Sequence, residues 1–106
     1  MDDLPNNQKR ILVSMYKQML SSQPALHNEA NDFGSADQVN EVCNLGLSHD
    51  EISDICLALH SKGYIYGDLG DDTIFDISLT DETIVYMENR FKRGLKAVLS
   101  FLAELA

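Results

Sequence analysis

The sequence predicts a mainly helical α+β fold, on three observations along its 106 residues. Two capping boxes of the S-x-x-Q/E type, starting at Ser35 and Ser48, each open a stretch with helical apolar spacing. After Gly63 the apolar period changes from helical to alternating, and a glycine- and aspartate-rich segment divides the alternating part in two. From Thr80 the helical period returns and runs to the end. With a further amphipathic helix in front, the order is helix, helix, helix, hairpin, helix. That is the order of a winged helix-turn-helix, a three-helix core plus a β-hairpin wing, with an extra C-terminal amphipathic helix.

The first helix is expected from about Asn7 to Leu20, where Ile11, Leu12, Met15 and Met19 recur at helical spacing beside Tyr16. Lys9, Arg10 and Lys17 are expected to face outward. A loop from Ser21 to Gly34 follows, and Ala25-Leu26-His27 within it is short enough for one brief strand. In the first capping box the Ser35 hydroxyl takes an orphan amide and Gln38 reaches back. The second helix should then bury Val39, Val42 and Cys43 and stop at Gly46. In the second box, Ser48-His49-Asp50-Glu51, Leu47 and Ile52 occupy the positions of a hydrophobic staple. The third helix carries Ile52, Ile55, Cys56 and Leu59 on one face and ends at Gly63. The link Leu45-Gly46-Leu47 has the size of a helix-turn-helix turn.

Tyr64-Ile65-Tyr66 reads as one strand and Thr73–Leu79 as its partner, with Phe75, Ile77 and Leu79 on one side and Ile74, Asp76 and Ser78 on the other. Gly67 to Asp72 forms the turn. Thr80 caps the last helix, with Asp81 and Glu82 in the first turn where the helix dipole favours negative charge. Ile84, Met87 and Phe91 open its stripe. Gly94 costs about 1 kcal/mol relative to alanine there, which predicts a bend or break. Beyond it Leu95, Val98, Leu99, Leu102 and Leu105 continue the stripe. The chain thus divides into a winged-helix core over 1–80, with its wing at 64–79, and a C-terminal helical segment over 81–106.

One hundred and six residues suit a single domain with a real core. The start, Met-Asp-Asp-Leu-Pro, has neither the basic nor the apolar part of a secretory signal, and no apolar run reaches the roughly 20 residues of a membrane span. Cys43 and Cys56 fall on apolar stripes, where a free thiol behaves as a small hydrophobe in a reducing compartment. These features together predict a cytoplasmic protein.

From Ile11 to Leu105 the chain resembles the small winged-helix proteins of Gram-positive bacteria and their phages, in particular the YjcQ family. The segment from Leu57 to Ile65, Leu-Ala-Leu-His-Ser-Lys-Gly-Tyr-Ile, resembles the end of their third helix running into the first wing strand. Leu79-Thr80-Asp81-Glu82-Thr83-Ile84-Val85-Tyr86-Met87 is similar to their L-T-x-x-G-x-x-Y-L, with Thr83 in place of the glycine. The resemblance implies a winged-helix fold of bacterial or prophage origin. It transfers no functional residues.

The charge distribution bears directly on function. Between Glu29 and Glu88 stand fourteen acidic residues and one base, Lys62, a net −13, whereas residues 1–28 carry +1 and residues 89–106 carry +3. In a helix-turn-helix the second helix meets base edges with its N-terminal residues. Here those are Ser48, His49, Asp50 and Glu51, with Asp54 one turn on. The wing adds Asp68, Asp71 and Asp72 where phosphate-contacting bases would be expected. DNA affinity grows with the number of phosphates neutralised, so this face opposes DNA and suits a basic partner. The bases that remain cluster at Arg90, Lys92, Arg93 and Lys96, and they offer phosphate contacts away from that face. The stripe Phe91, Leu95, Val98, Leu99, Leu102 and Leu105 either covers the chain's own core or meets the same helix of a second subunit, and because it runs nearly three turns beyond Gly94 a homodimer is expected.

Catalysis and cofactors find no support. There is no P-loop, no G-x-S-x-G and no H-E-x-x-H. His49, Cys56 and His60 share a stripe, but residues seven apart rise about 10 Å along a helix, too far for one tetrahedral metal. The aspartates of the turn lack the EF-hand spacing. No metal, cofactor or small-molecule substrate is indicated. The sequence therefore predicts a non-enzymatic winged-helix binding protein: either a transcription-regulator-like DNA binder, or an acidic interaction module or nucleic-acid mimic that docks a basic protein.

Overall fold

The computed structural model describes residues 3–21 and 30–105. Among them are five helices and one two-stranded antiparallel sheet: α1 (Asn6–Ser21), α2 (Ala36–Val42), α3 (His49–Ser61), β1 (Ile65–Leu69), β2 (Ile74–Leu79), α4 (Asp81–Arg90) and α5 (Leu95–Leu105). The short strand expected at 25–27 lies outside the described residues. No described helix is long and apolar enough to cross a membrane.

The centre of the molecule is α1. It touches α3, α4, α5 and β2, so it is buried on most sides, and Val13 and Ser14 join the expected Ile11, Leu12, Met15, Tyr16 and Met19. Both capping boxes form. The Ser35 hydroxyl accepts from the Gln38 amide at 3.2 Å while the Gln38 side chain accepts from the Ser35 amide at 2.8 Å. Ser48 and Glu51 repeat the exchange at 3.2 and 3.1 Å. The end of α2 corrects the expectation of a stop at Gly46. Asn44, at φ 54°, already turns left-handed two residues before the left-handed Gly46; its amide donates to Glu41 and the Leu45 amide to Asn40. Asparagine tolerates that conformation, and the two bonds close a Schellman motif. Because the helix ends at Val42, Val39 is buried and Cys43 half-buried, whereas Val42 itself is exposed. Gly63 ends α3 by the same motif, with the Gly63 amide on His60 and the Tyr64 amide on Leu59.

The hairpin is longer and its turn tighter than the alternation suggests. β1 continues through Gly67 to Leu69, and the Gly70 amide donates to the Thr73 carbonyl at 3.0 Å. The pairing Asp68↔Phe75 and Tyr66↔Ser78 leaves Asp76 and Ile77 opposite Gly67 alone, a β-bulge with Asp76 left-handed at φ 52°. The extra residue reverses the parity of β2. Ile74, Ile77 and Leu79 face the core, and Phe75 faces out, against the expected grouping of Phe75 with Ile77 and Leu79. A side chain at Gly67 has no room, since a Cβ there would lie 2.6 Å from Ile74 Cδ1 and 3.0 Å from the Phe75 carbonyl oxygen.

The segment before α2 adds to this sheet. The Phe33 amide donates to the Ile77 carbonyl at 2.9 Å and the Ile77 amide to the Gly34 carbonyl at 2.8 Å. The Asn31 carboxamide extends the pairing by gripping both backbone groups of Leu79, at 2.7 and 3.0 Å.

At the start of α4, Thr80 accepts from the Thr83 amide at 3.3 Å, and the buried Thr83 hydroxyl donates to the Tyr64 carbonyl at 2.9 Å. The threonine thus adds a bond to a strand-end carbonyl that also accepts from the Thr80 amide at 3.2 Å. At Gly94 (φ 75°) the C-terminal helix breaks outright: α4 ends at Arg90, and a turn closed by the Gly94 amide on the Phe91 carbonyl leads into α5. α5 then packs along α1.

Candidate functional site

Four features of this fold bear on binding: the front of α3, the hairpin tip, the basic cluster and the exposed part of the C-terminal stripe. The front of α3 is set by its turn from α2. Asn40 bridges that turn, donating to the Leu47 carbonyl at 2.7 Å and accepting from the Leu47 amide at 3.1 Å. Asparagine seven residues before its partner has no signature in the sequence, and this clamp escaped the sequence reading.

His49 does not project freely. Its Nδ1 lies 2.9 Å from both carboxylate oxygens of Asp37 in the first turn of α2. The hydrogen bond to Asp37, and then its charge, raise the His49 pKa from the ordinary 6.5. Glu51 is held below its usual range by the hydrogen bond from the Ser48 backbone amide, so it is a committed cap. The carboxylates left to meet a partner on α3 are Asp50 and Asp54, both exposed.

The hairpin is pinned to α3 by a buried hydroxyl pair, Ser53 Oγ to Thr73 Oγ1 at 2.9 Å. Asp54 and Asp72 are the chain neighbours of those two residues, so this bond sets the front of α3 beside the hairpin tip. Asp68, Asp71 and Asp72 are exposed there. Asp68 sits close enough to the bulged Asp76 to raise the Asp76 pKa, through a shared hydrogen bond first and like charge second. On the outer face of the hairpin, Tyr66 and Phe75 are large and exposed beside Asp68; Leu69 is exposed at the tip on the other side. The alternation suggested no outward aromatic at position 75, because the bulge that turns it out is invisible in the pattern. Among the described residues no group of three or more histidine, cysteine, aspartate or glutamate side chains is arranged to hold a metal ion.

The basic cluster gathers at the α4–α5 turn. Arg90 lies over the rings of Phe91 and Phe101, 5.7 and 5.4 Å from their centroids. Arg93, Lys96, Ser100 and Glu104 line the same groove, and Lys92 is not part of its lining. The C-terminal stripe is split by this packing. Phe91 (4% exposed) and Val98 (0%) belong to the chain's own core, Phe91 resting on Tyr16 and Phe101. Leu102 and Leu105 are half-buried, and Leu95 (38%) and Leu99 (46%) remain accessible. Cys43 and Cys56 are free thiols, and burial pushes their pKa values up to about 11 and about 12.

No protein-family profile, curated protein or solved structure matches this chain significantly.

Proposed function

We propose that this chain is a non-enzymatic, cytoplasmic winged-helix binding protein, of the bacterial or prophage type that the YjcQ resemblance implies, whose recognition face takes a basic protein partner. The order of α1, the extended pairing at Phe33–Gly34, α2, a tight turn, α3 and a hairpin supports the winged-helix reading. One observation carries the choice of partner. Asp50, Asp54, Asp68, Asp71 and Asp72 are all exposed on the two elements such a fold uses for recognition, and none makes a contact ion pair with a described base. Asp68 stands beside exposed Tyr66 and Phe75, and an aromatic anchor ringed by charge is the composition of a protein-docking surface.

The second reading, a transcription-regulator-like DNA binder, is favoured by the exposed first turn of α3 and would draw its phosphate contacts from the bases at the ends of the chain. A fluorescence anisotropy titration separates the two. An arginine-rich peptide should bind the full chain at low salt, and D68N/D71N/D72N should weaken it at least tenfold. Random-sequence duplex DNA should not bind. Micromolar duplex binding that falls steeply with salt would reject the basic-partner reading as the main one.

A further inference from the structure

The groove at the α4–α5 turn has no part in the recognition face, and its chemistry is the opposite. Half of the chain's eight bases, Arg90, Lys92, Arg93 and Lys96, fall within seven residues of a protein whose net charge is −9. None of the four is in a contact ion pair with a described carboxylate. An amphipathic helix that merely balanced the surrounding acids would place its bases against them. Here the bases are gathered, and no described carboxylate pairs with them in contact.

Three of them line one groove of about 290 Å³. Arg90 is the fixed element. Its guanidinium lies over Phe91 and Phe101, 5.7 and 5.4 Å from their centroids, which draws its charge to the groove while the exposed side chain keeps N–H donors free for a ligand. Arg93 in the turn and Lys96 in the first turn of α5 add mobile cationic donors, and Ser100 adds a hydroxyl one helical turn further. The same turn heads an eleven-residue helix, so its positive dipole end adds to the local field. Glu104 is the one carboxylate in the lining. It stands two turns along α5 from Lys96 and closes the far end of the groove to negative charge. The site therefore suits one compact anionic head rather than a polyanion laid along its length. A flat fork of guanidinium donors with a flexible ammonium beside it is the donor set for tetrahedral phosphate oxygens.

We propose that this groove binds a phosphate monoester, with Arg90, Arg93 and Lys96 holding the phosphate and Ser100 donating to it. The inference is independent of the partner chosen for the acidic face. A monoester is close to a dianion at neutral pH and gains more from three clustered cations than a diester does. At physiological salt the Debye length is about 8 Å, so the acidic middle of the chain barely weakens the attraction for a small ion, whereas a long polyanion reaches beyond that distance.

The test is amide NMR on the full chain at physiological ionic strength, titrated with inorganic phosphate and then with adenosine monophosphate. Saturable shifts confined to Arg90–Lys96 and Ser100 are expected, with chloride at equal ionic strength producing none. R93Q/K96Q changes only exposed side chains, and its spectrum reports directly that the fold is kept. It should lower the affinity at least tenfold, whereas K9Q/K17Q should leave it unchanged. Non-saturable or scattered shifts, or an R93Q/K96Q variant that binds as well as the parent, would overturn the proposal. A 5′-hydroxyl duplex that bound at these same residues tenfold more tightly than the monophosphate would overturn the monoester assignment in favour of backbone phosphate.

Discussion

Replacing Asn40 with alanine tests the idea that a single side chain sets the angle between α2 and α3. Asn40 makes two hydrogen bonds to Leu47, at 2.7 and 3.1 Å, in a partly buried turn. A net contribution of about 1 kcal/mol per bond gives a loss of about 2 kcal/mol for Asn40→Ala, with the upper end set by how well water replaces the side chain at Leu47. For a domain of this size that lowers Tm by about 10 °C. The caps at Ser35 and Ser48 are untouched, so far-UV circular dichroism below the transition should not change. Urea unfolding followed by circular dichroism supplies the free energy, with the slope m compared between the two proteins to confirm that the same surface is exposed. Asn40→Asp is the sharper variant. It keeps the acceptor for the Leu47 amide but sets a carboxylate oxygen against the Leu47 carbonyl, so at neutral pH it should be at least as damaging as alanine. A loss below about 0.5 kcal/mol for Asn40→Ala, the range of an ordinary surface substitution, would refute the clamp.

The remaining predictions follow from burial and charge. Val98→Ala opens a cavity under α1 and should cost about 2 kcal/mol in thermal or urea unfolding, whereas Leu99→Ala should stay within about 0.5 kcal/mol. Removing everything from Gly94 onward would strip the cover from α1, so a homodimer is better sought by light scattering on the full chain with L95K/L99K; a parent dimer that these two lysines do not split would rule out the exposed stripe as its interface. Asp76→Asn should stabilise the protein at neutral pH. The raised pKa of Asp76 means the folded chain holds its proton more tightly, so that contribution is present below the ordinary carboxylate range and fades as pH rises through the folded value, and the variant should lose this pH dependence. Cys56, with its thiol pushed up to about 12, should resist a disulfide-exchange reagent at pH 8 until denaturant is added; rapid stoichiometric reaction in buffer would show that it is not buried.

The features legible in the sequence are those whose cause is local. A capping box needs four consecutive residues, and both boxes form with the bonds their spacing requires. The change of period after Gly63 and the break at Gly94 are equally local, and the structure has a hairpin and two separate helices in those places. What could not be read depends on partners far along the chain. Asn31 grips Leu79 across 48 residues, and Ser53 meets Thr73 across 20. The bulge belongs to the same class. Alternation fixes which side chains share a face only while the register is unbroken, and one left-handed aspartate is enough to turn Phe75 out and Ile74 in.

The same distinction between local and distant causes separates the acids. Glu51 and His49 looked like members of a recognition surface, yet Glu51 is a cap and His49 is tied to Asp37, so neither is free for a partner. Asp76 serves the backbone, taking the left-handed position of the bulge. Subtracting these leaves Asp50, Asp54, Asp68, Asp71 and Asp72, and the Ser53–Thr73 bond brings the two halves of that remainder side by side. The bases of the α4–α5 turn undergo no such subtraction: Arg90 lies over aromatic rings, and neither it nor Arg93 nor Lys96 makes a contact ion pair with a described carboxylate. Charges of opposite sign in one small domain lower its energy when they mix. Keeping them apart forgoes that stabilisation, and exposed pairs contribute so little that the loss is about 1 kcal/mol or less per pair. Segregation is therefore cheap in stability, and it leaves two surfaces of opposite electrostatic preference on one small domain.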